Sequence, residues 1–125
     1  MESKYNRIIV KAGTSLLTSG SGQINLSVIE NLVSQIAGLR QKGHQIALVS
    51  SGAVAVGRSA IDSLFENKGV LDRQVLAAIG QPRLMNIYEE YFSEQGIVCA
   101  QALLSRRDFD DRLGYLNLRN TLWSL

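Results

Sequence analysis

Two short β-branched runs set the first limit on how this chain can fold. "RIIVK" (Arg7–Lys11) and "QIALVS" (Gln45–Ser50) each read as a buried strand, and each stops at a small-residue turn, Ala12-Gly13 and Ser51-Gly52. Between them Ile29, Leu32, Val33, Ile36 and Leu39 recur at helical spacing, and Gly43 ends that helix. Ser27 and Glu30 have the spacing of a capping box at its start. A strand that returns to the sheet through a helix pairs in parallel with its predecessor.

The pattern continues. "GAVAVGRSAI" opens another helix after the second strand, and "DSLFENKG" closes it into a loop. Leu71, Val75 and Ile79 share a helical face, and Gly80-Gln81-Pro82 interrupts it, with Pro82 suited to the first turn of a new helix. Leu84, Ile87, Tyr88, Tyr91 and Phe92 continue as an amphipathic helix that Gly96 ends. "IVCAQALL" (Ile97–Leu104) reads as a third strand, and Tyr115, Leu118, Leu122 and Leu125 line a last helix. The fold class is α/β, with a mainly parallel sheet covered on both faces. Three strands are few for such a sheet, which usually has about five or more. The expectation is an incomplete sheet, with residues 1–125 forming the N-terminal part of a longer protein.

Composition narrows the function classes. With 46% apolar and 19% charged residues the chain is globular, not disordered. A net charge of +2 is weak, and Asp108, Asp110 and Asp111 follow the one basic pair, Arg106-Arg107, so nucleic acid is not an expected partner. The single cysteine, Cys99, fits a reducing compartment. No apolar run has the length of a signal peptide or a membrane span. These features read as a cytoplasmic protein without membrane partners.

From Gly52 the spacing G-x-x-x-x-G-R-S approaches the phosphate-binding P-loop, with Arg58 in place of Lys. The forked Arg58 and the apolar "AVAV" between the glycines argue against it. A plainer role for Gly52 and Gly57 is close packing of strand and helix. A ligand site survives this objection. Ser51, Gly52 and Ala53 sit where a parallel strand runs into a helix, and ligands of open α/β sheets bind at such strand ends. Backbone N–H groups there attract an anion such as a carboxylate, and Ser51 adds a hydroxyl donor. Lys11, Gly13, Thr14 and Ser15 occupy the equivalent place after the first strand. Positive charge from Lys11 and close backbone approach at Gly13 suit a phosphate.

"VKAGTSLLT", "NLSVIENLVSQIAGLRQKGHQIALVSSGAVAVGR", "LAAIGQPRLMNIYEEYF", "AQALLSRRDF" and "DRLGYLNLRNTL" follow one another in this order. Together they are similar to the glutamate-phosphorylating branch of the amino acid kinase family, from about Arg7 to Leu125. Relatives that act on other substrates tend to carry Gly-Gly after the Lys, where this chain has Gly13-Thr14; Ala12 replaces a usually larger apolar residue. The resemblance implies a three-layer α/β/α sandwich and transfer of the γ-phosphoryl of ATP, with Mg²⁺, to the side-chain carboxylate of L-glutamate. It implies that Lys11 contacts the ATP phosphates, that Gly13, Thr14 and Ser15 lie along them, and that Ser51, Gly52 and Ala53 hold the amino acid. It further implies feedback inhibition by proline and a homo-oligomeric full-length protein. No resident metal ligand falls within this chain, and neither do the family's remaining glutamate- and nucleotide-binding positions. The 125-residue chain is therefore expected to be inactive alone. Another small carboxylate as acceptor, or a non-catalytic fragment that binds an amino acid, are the alternative readings.

Plainer roles are expected elsewhere. His44 reads as a solvent-facing turn residue, Cys99 as a core residue of the third strand, and Tyr88, Tyr91 and Phe92 as core or subunit interface. Asp108, Asp110 and Asp111 read as the acidic start of the last helix, not as a metal site. The resemblance covers Arg106, Arg112, Tyr115 and Asn117 without giving them roles.

Overall fold

The computed structural model describes residues 5–62 and 72–125. The elements run β1 (Arg7–Ala12), α1 (Thr14–Thr18), α2 (Leu26–Gln41), β2 (Gln45–Ser50), α3 (Ala53–Asp62), α4 (Arg73–Glu94), α5 (Arg107–Asp110) and α6 (Arg112–Ser124). The expected loop at "DSLFENKG" and Leu71 lie, apart from Asp62, outside the described residues.

β1 and β2 pair in parallel, from Arg7 opposite Gln45 to Ala12 opposite Ser50. Side chains alternate across a strand, so Ile8, Val10 and Ala12 share a face with Ile46, Leu48 and Ser50. On that face Ala12 joins Leu17, Ile29, Val33, Ile36, Val56, Leu84, Tyr88 and Phe92 in the core, with Ile46 and Leu48 packed against them. The opposite face is bare among the described residues: Ile9 is 77% exposed and Val49 is 53% exposed. The strands are therefore buried on one face, and the expected cover on both faces is not formed by the described residues.

The third strand is also corrected. Ile97–Leu104 joins no sheet, and Val98 is 97% exposed. A β-branched run fits a pleated surface only where a neighbouring strand supplies the ladder, and the described residues supply none for this segment. Cys99 is consequently exposed, not in the core.

Local signals at α2 hold with one shift. Asn25, not Ser27, caps the helix: its side-chain oxygen accepts from the Ser27 N–H at 3.1 Å and the Val28 N–H at 3.4 Å. Gly43 ends the helix with φ +88°, a value that favours glycine. The turn then draws the chain back, with His44 N–H donating to the Leu39 carbonyl at 3.2 Å. His44 is buried in consequence, contrary to expectation, and its Nδ1 finds no hydrogen-bond partner among the described residues.

Pro82 does not divide α4, which runs unbroken from Arg73 to Glu94. Proline removes one helical hydrogen bond, but burial outweighs it here. Leu76, Gly80, Leu84, Tyr88 and Phe92, each four residues from the last, form one buried row past Pro82, which stays exposed. The Tyr88 and Phe92 rings lie 6.3 Å apart within that row, so the expected core role of both holds. At the helix start the Asp72 carboxylate accepts from the Gln74 N–H at 2.9 Å.

α5 and α6 bury no residue, and Tyr115 and Leu122 on α6 stay exposed. Of the three aspartates expected at the start of the last helix, Asp111 caps α6, while Asp108 and Asp110 lie on the separate short helix α5. Ser105 donates through its N–H at 2.6 Å and its hydroxyl at 2.8 Å to the Asp108 carboxylate, which both bonds hold below the usual range. Asp111 accepts from the Gly114 N–H at 2.8 Å. The Arg7 guanidinium stacks 3.6 Å over the Trp123 ring and gives α6 one contact with the edge of β1.

The tightest contact is between α3 and α4. A Cβ on Gly57 would lie 1.9 Å from the Leu76 carbonyl oxygen, and one on Gly80 would lie 1.7 Å from the Ala53 carbonyl oxygen. Gly57 therefore serves helix–helix packing, a change from its expected place between strand and helix. An alanine in a helix interior normally stabilises by up to about 1 kcal/mol over glycine. At this crossing the sign reverses: Gly80→Ala lowers stability by about 1–3 kcal/mol in chemical denaturation, as overpacking does. An unchanged or raised midpoint would show that the helices do not meet this closely.

Candidate functional site

The parallel ladder brings two strand ends side by side. Ser51 N–H donates to the Ala12 carbonyl at 2.9 Å, so the turn after β2 is tied to the last residue of β1. Beside this junction opens a cleft of about 450 Å³, lined by residues 50–55 together with Thr14, Gly22, Arg58, Arg73 and Gln81. Its size suits a small molecule.

Of the residues singled out in the sequence, Thr14, Ser51, Gly52 and Ala53 line this one cleft. Lys11, Gly13 and Ser15 do not. Lys11 lies opposite Val49 in the ladder, one residue before the junction, and is exposed on the bare face of the sheet. Gly13 has φ −81°, and nothing stands within 4 Å of where its Cβ would be. Neither backbone strain nor packing requires glycine there, and the open space leaves room for a ligand against the main chain.

Gly52 differs. Its φ is +109°, and a Cβ would meet Ile24 Cδ1 at 3.1 Å and Leu17 Cδ1 at 3.4 Å. Glycine is needed for both conformation and space. The turn it makes starts α3. Val56 N–H donates to the Gly52 carbonyl at 3.0 Å, so the helical ladder begins at Val56 and the amides of Ala53, Val54 and Ala55 lie ahead of it. Such amides carry partial positive charge. Arg58 and Arg73 add two cationic residues to the same wall, and no carboxylate among the described residues lines it. The arrangement attracts anions. No group of three or more His, Cys, Asp or Glu side chains among the described residues could hold a metal ion.

Beneath the turn lies a polar pair at the edge of the core. Ser50 Oγ donates to the Ser51 carbonyl at 2.9 Å and lies 2.7 Å from the Tyr88 hydroxyl. Burial pushes the Tyr88 phenol above its usual pKa, against the Ser50 bond, which lowers it.

Sequence reasoning missed part of this wall. It set Arg58 aside with the P-loop, although Val54 and Arg58 are four apart and share a helix face. Arg73 and Gln81 carry no local signal, because only the α3–α4 crossing brings them to the cleft.

Residues 6–122 match the amino acid kinase family, and the chain belongs to it. Within the family it is 49% identical over 124 residues to the glutamate 5-kinase of Dehalococcoides mccartyi strain CBDB1, covering 99% of this chain and 33% of that protein. It is 48% identical over 119 residues to the glutamate 5-kinase of Caldanaerobacter subterraneus subsp. tengcongensis, covering 95% of this chain and 32% of that protein. The glutamate 5-kinase of Chlorobaculum tepidum is 44% identical over 121 residues, covering 97% of this chain and 34% of its own length. The chain spans about a third of the length of these curated relatives. No helix among the described residues is long and apolar enough to cross a membrane.

The two glycines separate by experiment. Gly52→Ala forces a side chain into a strained backbone and loses about 1–3 kcal/mol of stability. Gly13→Ala stays within about 0.5 kcal/mol of the parent. Denaturant midpoints of the two variants check this, and equal losses would contradict the described geometry.

Proposed function

We propose that the protein carrying this chain transfers the γ-phosphoryl group of ATP to the side-chain carboxylate of L-glutamate, giving glutamyl 5-phosphate for proline synthesis. The observation that carries the reading is the 49% identity to a glutamate 5-kinase over 99% of the chain. The site geometry agrees with it. In this reading Lys11 neutralises charge on the ATP phosphates, and the main chain of Gly13, Thr14 and Ser15 lies along them. Ser51, Gly52 and Ala53 receive the acceptor in the cleft, where amides and guanidiniums face an anion.

Phosphoryl transfer asks a protein mainly for in-line positioning and charge stabilisation. A carboxylate with a pKa near about 4.3 is already ionised at neutral pH, so the acceptor needs no general base. Two adjacent strand ends meet the positioning need: a cation at the end of β1 and an anion-receptive turn at the end of β2. Mg²⁺ bound with the nucleotide would supply further positive charge; the described residues offer it no ligand cluster, and no step is assigned to it. The rest of the kinase domain, the remaining glutamate and nucleotide contacts, inhibition by proline and homo-oligomerisation belong to the full-length protein in this reading, which acts in the cytoplasm.

The test is a hydroxamate assay on the full-length protein with ATP, Mg²⁺ and a panel of acceptors. Glutamate is expected to be preferred over aspartate and other small carboxylates. Lys11→Ala should lower kcat by about 100-fold or more, the scale for losing one charge-stabilising donor. Ser51→Ala should act mainly on the KM for glutamate. Full activity in Lys11→Ala, or preference for another acceptor, would overturn the assignment.

A further inference from the structure

We infer that Tyr88 is a positioning residue for the acceptor: through Ser50 it holds the Ser51-Gly52 peptide in the orientation that the cleft requires. The inference rests on the reading of Ser51, Gly52 and Ala53 as the acceptor site.

The hydrogen-bond arithmetic gives the direction. A serine hydroxyl has one proton to donate. Ser50 Oγ donates it to the Ser51 carbonyl at 2.9 Å. The 2.7 Å contact with Tyr88 must then run the other way, with the phenol O–H donating to Ser50 Oγ. The result is a relay from Tyr88 to Ser50 to the Ser51 carbonyl. In a trans peptide the carbonyl and the following N–H point in opposite directions within one rigid plane. Fixing the Ser51 carbonyl therefore fixes the Gly52 N–H. That amide belongs to a residue of the cleft wall whose φ of +109° lies outside the range side chains readily adopt.

The relay is anchored in the buried core. Tyr88 is 3% exposed and belongs to the buried row of α4. Its ring alone would fill the core as phenylalanine does. The hydroxyl adds nothing to that packing; it reaches from α4 to the last residue of β2 and ends directly beneath the turn. Burial keeps the phenol protonated, so the donor persists across ordinary pH. The other polar side chain in the relay, Ser50, is half-buried and lines the cleft itself.

The experiment uses the full-length protein and the variants Tyr88→Phe, Ser50→Ala, Ser50→Thr, Tyr88→Phe/Ser50→Ala and Ser51→Ala. Two readouts are taken: amide hydrogen exchange over residues 50–56, without ligand, and steady-state KM values for glutamate and ATP. Tyr88→Phe and Ser50→Ala should each speed exchange at the turn and raise the glutamate KM about 3- to 10-fold, the effect of one hydrogen bond. The KM for ATP should not move. Ser50→Thr should restore the parent values, and the double variant should be no worse than Ser50→Ala, because the two residues act in series. Unchanged exchange in Tyr88→Phe overturns the relay. Faster exchange with an unchanged glutamate KM, while Ser51→Ala raises that KM, overturns positioning but leaves the acceptor site standing. If Ser51→Ala also leaves the KM unmoved, the acceptor-site reading fails and this inference falls with it.

Discussion

The crossing of α3 and α4 is the contact on which the site depends. At Gly57 and Gly80 there is room for hydrogen and nothing larger. The Gly80 contact is with the carbonyl of Ala53, the first residue of α3 and part of the cleft wall. Packing in the helical layer and placement of the turn after β2 are thus one constraint. The same crossing carries Arg73 and Gln81 to the cleft and sets Tyr88 beneath Ser50. A shift of α4 would disturb the core, the guanidinium wall and the turn together.

The two-stranded sheet supplies the second axis of the design. In parallel pairing both strands end on the same side, which places the Lys11 region next to the Ser51 turn without any further element. The bond from Ser51 to the Ala12 carbonyl extends the ladder by one step past β2 and locks the two ends in register. A one-residue slip would turn Lys11 toward the helical face and expose Ala12. Ala12 is fully buried, so the hydrophobic pattern opposes that slip.

Much of this was legible in the sequence because the signals were local. Strand runs, the helical period of α2, and the turns at Gly43 and Gly96 follow from residues within a few positions of one another. The Lys11–Ser15 segment and the Ser51–Ala53 turn could be expected side by side because each ends a strand, and strand ends meet in a parallel sheet, although Lys11, Gly13 and Ser15 stay outside the cleft. The failures share a different cause. Pro82 looked like a break because a single residue was weighed without the buried row that carries α4 past it. His44 looked exposed because turns usually are. Ile97–Leu104 looked like a strand because its composition suits one, although pairing depends on a neighbour outside the segment. Arg73 and Gln81 were invisible because a helix crossing leaves no mark on nearby sequence.

The bare face of the sheet and the cleft answer different physical needs. Ile9 and Val49 are apolar and exposed, which is a demand for cover. Lys11 stands on that same face, opposite Val49 in the ladder, and its charge needs either water or an anion. Covering this face with apolar groups alone would strand the ammonium, so whatever closes over it must leave Lys11 water or bring it an anion. In the proposed reading a nucleotide phosphate is that anion. The cation is then not an accessory to the junction of β1 and β2. In the proposed reading it is the charge toward which donor and acceptor are both drawn.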